Sequence, residues 1–538
     1  VLKMLSSVSN GLLIADEVGL GKTIEAGLIW TELRTRFDYQ RLFVLCPAVL
    51  RDKWRRELQS RFGVRAELCD AESAHERLRQ ASKDPTNEPF ALIGSLQGLR
   101  PRGEDWSVAG AASSPSQKLA RLLAENAEAE PLVDLLVIDY AHHLRNAGTA
   151  NSQIGRLLRG VSAHAVLLTA TPVNLASNDL YALMRLLDED TFTSIGEFDD
   201  ILKANGPLVA AREAVLRHGD RREEILEKLR EARKHPILRG SKTLAWMVDN
   251  FPTAEELASH GARAELAYQL DQANLLGQMI NRTRKREVQE NRIERQAVPQ
   301  AVTLTALEAE FYTRVTNLVR EFCRRQGTSE GFLLTMPQRQ MASSIPAAFR
   351  YWRDRLGQQA PGAEAELEDE EDVGGEQESS PHQDVEMGNL VRELFSSVRG
   401  LGDFESLKAA DSKYSLLVNR LREYIGDNPA AKIVLFSSFR ATLAYLDERL
   451  RADSIRTMVM TGDTKDKDAT IEDFQAREQA TVLLSSEVGS EGVDLQFSRV
   501  VVNYDLPWNP MRVEQRIGRL DRLGQEADSI LIWNLFCA

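Results

Sequence analysis

Eight residues, Asp16-Glu17-Val18-Gly19-Leu20-Gly21-Lys22-Thr23, constrain the fold more than any other part of the chain. An apolar run, Leu12-Leu13-Ile14-Ala15, precedes them, and a helix-compatible stretch from Thr23 to about Leu33 follows. Strand, glycine loop and helix in that order form the setting in which a phosphate-binding loop works. Gly19 and Gly21 lack the Cβ that would hold backbone N–H groups away from phosphate oxygens. The helix that follows points its positive dipole end at the same anion. Lys22 would reach the β- and γ-phosphates of a nucleotide, and Thr23 would hold Mg²⁺. The strict template has Gly where this chain has Asp16. An ordinary glycine turn would explain these residues alone, but not the ordered motifs that follow them.

A second strand pattern, Leu135-Leu136-Val137-Ile138-Asp139, ends in a carboxylate suited to a metal ion. The next residues are Tyr140-Ala141-His142-His143. In motor ATPases the residue after this Asp is normally Glu, which activates the attacking water. A phenol with an ordinary pKa of about 10 is a poor base at neutral pH.

At 538 residues the chain exceeds one hydrophobic core, and about two to four domains are expected. No apolar run approaches the roughly 18 residues that a membrane-spanning helix needs. With no initiator Met, the chain is expected to be an excerpt of a longer protein. Cys46, Cys69, Cys323 and Cys537 are scattered, with no CxxC pair, which fits a reducing compartment rather than a zinc or disulfide framework. The net charge of −13 at first argues against nucleic acid. Residues 361–388, however, hold eleven acids and no Lys or Arg, and so account for eleven of the thirteen net charges. The near-neutral remainder can carry basic grooves.

Residues 1–190 alternate between strand and helix patterns, with strands expected at 12–15, 42–46, 90–94, 135–139 and 166–169. Residues 191–410 read as helical insertions, with periodic patterns at 212–234 and 262–286 and a disordered acidic loop at 355–390. Residues 411–538 return to alternation, with strands expected at 432–436, 457–460, 481–484, 500–504 and 530–535. The expected fold is therefore α/β, with two parallel-sheet lobes and helical insertions between them.

Further motifs keep a fixed order. Leu45-Cys46-Pro47 is followed by Arg51, Lys53, Trp54, Arg55 and Arg56, then by Gly94-Ser95-Leu96-Gln97 and by Leu168-Thr169-Ala170-Thr171-Pro172. Later come Asp411-Ser412-Lys413, Ile433–Phe439, Thr461-Gly462-Asp463, Ser485–Gln496, Asn503–Pro510 and Glu514–Gln525. Together with the phosphate loop these resemble the helicase-like Swi/Snf ATPases of superfamily two, in their bacterial RapA-like branch. The resemblance implies two RecA-like lobes that bind ATP and Mg²⁺ and move along double-stranded DNA. It implies that Asp16, Glu17, Gly19, Leu20, Gly21, Lys22 and Thr23, with Gly492 and Asp494, bind the nucleotide. It places the metal on Thr23 and Asp139, and catalysis on Lys22, Asp139, Tyr140, Arg519 and Arg522. The last two are spaced to lie on one helix face and serve as arginine fingers from the second lobe. DNA contacts are implied for Arg51, Lys53, Trp54, Ser95, Gln97, Ser437, Thr461 and Ser486. Coupling between nucleotide and DNA is implied for His142, Thr169, Thr171, Gln515 and Arg516. The basic run Asn281-Arg282-Thr283-Arg284-Lys285-Arg286 touches DNA, braces the lobes, or does both.

Tyr140 leaves three readings open: a slowed natural ATPase, an altered chain that traps ATP, and an ATP-binding switch with negligible hydrolysis. The process is equally open. A remodeller that frees stalled RNA polymerase, the motor of an anti-phage system with nuclease or methylase subunits, and an ATP-gated DNA-binding protein all fit. The resemblance implies a cytoplasmic, nucleoid-associated protein with no membrane contact.

Overall fold

The computed structural model describes residues 1–7, 9–83, 89–101, 114–127, 129–146, 148–169, 177–217, 221–283, 285, 293–326, 330–357, 403–490, 492–507, 509–522, 525 and 527–537. The chain divides into two compact units, Val1–Glu290 and Asn291–Ala538.

The first unit is built on seven parallel strands. In chain order they are β1 (Gly11–Ile14), β2 (Arg41–Cys46), β3 (Glu67–Cys69), β4 (Phe90–Ser95), β5 (Val133–Asp139), β6 (Ser162–Leu168) and β7 (Ile280–Asn281). Across the sheet the order is β3-β4-β2-β5-β6-β1-β7. β5 is buried along its whole length, as a parallel strand covered on both faces must be. Two apolar clusters cover the sheet. One contains Leu13, Phe43, Leu136, Ile138 and Leu167, and the other Ile14, Trp30, Val44, Trp54 and Val137. The alternation within each strand sends neighbouring side chains to opposite faces.

Register sets the site. Ile14 pairs with Leu168, and Leu168 with Asp139. The residues that leave β1, β6 and β5 at their carboxyl ends therefore emerge side by side. Carboxyl ends of parallel strands are where open α/β sheets bind ligands.

The helices of residues 195–273 form a sub-bundle of this unit around Leu208, Leu229, Leu244, Met247 and Leu270. The helical pattern expected at 212–234 breaks into Ile195–Leu216 and Arg222–Lys234. The one expected at 262–286 stops at Ala273. Asn205 Oδ1 accepts from the Leu275 backbone N–H at 3.0 Å and pins the exit. A Cβ on Gly277 would collide with the Asp271 carbonyl oxygen, so this reversal needs glycine. The chain then runs into β7 beside β1.

The second unit holds six parallel strands: β8 (Glu294–Val302), β9 (Lys432–Phe436), β10 (Thr457–Met460), β11 (Thr481–Ser485), β12 (Val500–Asn503) and β13 (Ser529–Cys537). Their order is β10-β11-β9-β12-β13-β8. Helices of residues 306–357 pack around Phe311, Val315, Phe349 and Trp352 in the same unit. Sequence reading assigned 191–410 to insertions between the lobes. The compact units instead divide near residue 290, so 195–273 belongs with the first sheet and β8 with the second.

β3, β7 and β8 are absent from the sequence expectation for physical reasons. β8 reads Glu-Arg-Gln-Ala-Val-Pro-Gln-Ala-Val and is mostly exposed, as an edge strand paired on one side can be. Pro299 is tolerated there because an edge leaves N–H groups unpaired. β3 and β7 span three and two residues, too short for periodicity to register. The acidic loop expected at 355–390 lies almost wholly outside the described residues.

Candidate functional site

The phosphate loop has the backbone that its glycines were expected to provide. Gly19 and Gly21 adopt φ of 90° and 84°, in the left-handed region that side chains resist. Gly21 is the N-cap of the Lys22–Phe37 helix and offers no side-chain acceptor. The Ile24 and Glu25 N–H groups close on the Gly21 carbonyl at 2.8 and 3.1 Å, which leaves the positive end of the helix dipole at the glycine loop. Lys22 folds over the loop, its Nζ donating to the carbonyl oxygens of Asp16 at 2.8 Å and Glu17 at 3.3 Å.

Asp16, which stands where the strict template has Gly, is buried. Its Oδ1 accepts from the Thr283 backbone N–H at 2.6 Å and from Asn281 Nδ2 at 3.4 Å. Glu17 donates its N–H to the Thr283 carbonyl, and its Oε2 accepts from the Lys285 N–H at 2.9 Å. The described part of the basic run 281–286 is therefore a brace on the phosphate loop. The sequence pass missed Glu25, one turn into the helix. Burial, and then the neighbouring Asp16 carboxylate, push its pKa up to about 8. An acid two residues beyond Thr23 was the available signal.

Asp139 closes β5 and is buried. Its Oδ2 accepts from Trp54 Nε1 at 3.0 Å, and its Oδ1 from the Tyr140 N–H at 2.9 Å. Burial raises its pKa, and the Trp54 hydrogen bond and the Lys22 charge oppose that shift. Trp54 was expected at DNA. It is 2% exposed, and its indole serves the Asp139 carboxylate instead. Tyr140 sits at φ 58°, a conformation that costs a non-glycine residue about 1–2 kcal/mol. Its ring contacts His142 and stacks on His143 with centroids 6.0 Å apart. His142 Nδ1 lies 3.4 Å from Thr169 Oγ1, so the residues expected to couple β5 to β6 do meet. Thr171 lies outside the described residues.

The expected DNA contacts divide by exposure. Gln97 is exposed, and Arg51, Lys53 and Thr461 are half-buried. Ser95 is buried and caps the Leu96–Leu99 helix through the Gly98 N–H. Ser437 and Ser486 correct the expectation. Ser437 is fully buried and donates to Asp505 Oδ2 at 2.5 Å, while the Oγ of buried Ser486 accepts from the Gly489 N–H. Small hydroxyls placed at strand ends serve the interior as readily as a ligand.

In the second unit Arg516, which was expected to couple nucleotide to DNA, is the hub of a buried network. It donates to Glu487 Oε1 at 2.7 Å, the Asp505 carbonyl at 2.7 Å and Ser438 Oγ at 3.2 Å. Arg512 binds the other Glu487 oxygen at 2.6 Å. Sequence reading overlooked both Glu487 and Asp505. Of the expected arginine fingers, Arg519 is buried and Arg522 forms an ion pair with Asp494. Gly492 has φ 78° and turns the backbone before Asp494. Gln515 is half-buried on the Pro510–Ile517 helix.

Residues 1–343, well over half of the chain, match the SNF2-related domain. The chain belongs to the SNF2-related family. In this SNF2-related chain residues 416–524 also match the helicase conserved C-terminal domain. Its relatives include the uncharacterized ATP-dependent helicase YqhH of Bacillus subtilis, 25% identical over 99% of this chain and 73% of YqhH. The RNA polymerase-associated protein RapA of Vibrio parahaemolyticus is 28% identical over 96% of this chain and 45% of RapA. The SNF2-related chain thus spans less than half of that RapA. Among solved structures, the Sulfolobus solfataricus SWI2/SNF2 ATPase core in complex with dsDNA matches with 16% identity and a TM-score of 0.33, covering 100% of this chain and 85% of that one. The Pyrococcus furiosus Hef helicase domain matches with 15% identity and a TM-score of 0.44, covering 100% of this chain and 95% of that one. At those scores the assignment rests on the family match.

The donor set fits a magnesium nucleotide. The glycine cradle, Lys22, the Thr23 hydroxyl and the Asp139 carboxylate are the groups such a ligand requires. No described helix is long and apolar enough to cross a membrane.

Proposed function

We propose that this chain is the motor of an ATP-dependent double-stranded DNA translocase or remodeller. The observation that carries the reading is the convergence of β1, β6 and β5, which brings Lys22, Thr169 with His142, and Asp139 to the carboxyl ends of adjacent strands. In this reading the glycine loop and Lys22 hold the phosphates. Thr23 and Asp139 would hold Mg²⁺, which would supply positive charge against the phosphates. His142 and Thr169 report the nucleotide state to Arg51, Lys53 and Gln97, which contact the DNA backbone from the first unit, as Thr461 does from the second. Arg519 and Arg522 stabilise charge on the transferred phosphoryl, and Arg522 must exchange Asp494 for phosphate to do so.

Tyr140 supports a second reading. Its phenol cannot replace a carboxylate base, and its ring is engaged with two histidines. A chain so built binds DNA under ATP control with little hydrolysis. Of the two processes, release of RNA polymerase draws support from the names of the RapA relatives. An anti-phage motor with nuclease or methylase subunits draws none from them. A cytoplasmic, nucleoid-associated place goes with that process as part of the same proposal.

Steady-state ATP hydrolysis with and without duplex DNA tests both readings. The motor predicts DNA-stimulated turnover that Lys22→Ala abolishes and Tyr140→Glu raises by about 10²–10⁴-fold, the typical worth of a general base. Absence of turnover in the unmodified chain, with activity restored by Tyr140→Glu, would establish the second reading instead.

A further inference from the structure

The helical sub-bundle of the first unit carries a basic corner that the nucleotide site does not use. From Ala232 to Val248 there is no Asp or Glu, while Arg233, Lys234, His235, Arg239 and Lys242 fall within that stretch. The preceding helix behaves differently. There Arg221 pairs with Glu224 at 2.8 Å, Arg222 with Glu223 at 3.2 Å and Lys228 with Glu231 at 2.8 Å. Among the described residues, no carboxylate lies within ion-pair distance of Lys234, Arg239 or Lys242, and all three are exposed. Three exposed cationic side chains are thus concentrated in a chain whose net charge is −13.

The corner is held rigidly. Leu238 is 2% exposed and anchors the turn in the sub-bundle core. The Leu238 and Arg239 N–H groups both bond to the His235 carbonyl, at 3.0 and 2.9 Å, and the Ser241 N–H bonds to the Leu238 carbonyl at 3.0 Å. Ser241 then caps the Lys242–Asp249 helix through the Leu244 N–H. That helix buries Leu244 and Met247, which leaves Lys242 and Trp246, four residues apart, on its outer face. Trp246 is 56% exposed, and Ile237, in the turn before this helix, is 45% exposed. A large indole left in water next to unpaired cations is costly unless something covers it.

We propose that this corner, with Lys234, Arg239, Lys242 and Trp246, is a second contact for the sugar–phosphate backbone of a DNA duplex. The inference rests on the double-stranded DNA reading above. Ammonium and guanidinium groups without carboxylate partners match phosphates, and the indole lies against the sugar edge between them. A rigid turn presents them without an ordering cost. The corner adds grip independent of nucleotide state, because none of its residues touches the phosphate loop or the ends of β5 and β6.

The test is the salt dependence of duplex affinity, read by anisotropy of a labelled duplex, for the unmodified chain and for the triple variant Lys234→Gln, Arg239→Gln, Lys242→Gln. Each lost phosphate contact lowers the slope of log affinity against log salt by about 0.9. The triple variant is expected to lose about 2–3 of that slope and at least about tenfold in affinity near 0.1 M salt. Trp246→Ala should weaken binding with the slope unchanged. Lys228→Gln, on the preceding helix and already paired, should alter neither quantity. Hydrolysis without DNA should be the same in all. An unchanged slope in the triple variant, with the unmodified chain binding DNA normally, overturns this inference alone. Failure of the unmodified chain to bind any duplex overturns the translocase reading with it. If the triple variant loses polyglutamate binding but keeps its DNA affinity, the corner serves an acidic protein and the inference falls.

Discussion

Trp54→Phe isolates the contact between the expected DNA-facing helix, Arg51–Phe62, and the buried Asp139 carboxylate. Phenylalanine keeps most of the buried ring but removes the N–H that lies 3.0 Å from Asp139 Oδ2. A hydrogen bond to a buried charged group is worth about 1.5–3 kcal/mol. The smaller ring adds a packing loss of about 1 kcal/mol. The variant should therefore lose about 2.5–4 kcal/mol in the unfolding transition of the first unit. Asp139→Asn supplies the control. Burial raises the Asp139 pKa, so its ionised form costs stability at neutral pH, and a neutral amide removes that cost. With Asn at 139 the Trp54 contact becomes an ordinary neutral hydrogen bond of about 0.5–1.5 kcal/mol. Trp54→Phe should then cost about 1–2 kcal/mol less than in the parent. A double-mutant cycle followed by urea denaturation measures that difference. Additivity within about 0.5 kcal/mol would refute the claim that Trp54 acts through the Asp139 charge.

Glu25, whose pKa is raised from 4.5 to about 8, binds a proton in the folded chain that it releases when unfolded between those values. Stability should fall as pH rises from 4.5 to 8, and Glu25→Gln should flatten that fall, as read by melting temperature against pH. Arg516→Met leaves Glu487 and Asp505 without their shared cation and should cost about 3–5 kcal/mol, measured by denaturant unfolding of the second unit. Cys46, Cys69 and Cys323 are buried, and burial pushes the Cys69 thiol up to about 12. A thiol reagent under native conditions should therefore label the partly exposed Cys537 first, slowed by the burial that raises its thiol pKa, and the other three only on unfolding.

Ten strands were legible because parallel strands buried on both faces are continuous apolar runs, which flanking polar residues punctuate. The phosphate loop was legible for a different reason. Its chemistry depends on backbone φ at Gly19 and Gly21, and glycine is the residue that supplies it. Local logic also placed Asp139 at the end of an apolar strand, where the structure has it closing β5. The edge strands β7 and β8 were hidden, since an edge needs no apolar pattern and their partners lie far off in the chain. Trp54 is the clearest case. Its neighbours in sequence are Arg51, Lys53, Arg55 and Arg56, which suggested a DNA surface, while its partner lies 85 residues away on β5. The sequence alone thus determined ten of the strands, the glycine loop and the supply of charged groups. Which of those groups face a ligand and which serve another buried group was decided only by the tertiary structure. A side chain's hydrogen-bond partner depends on strand order and register, which bring together residues whose local patterns carry no information about each other.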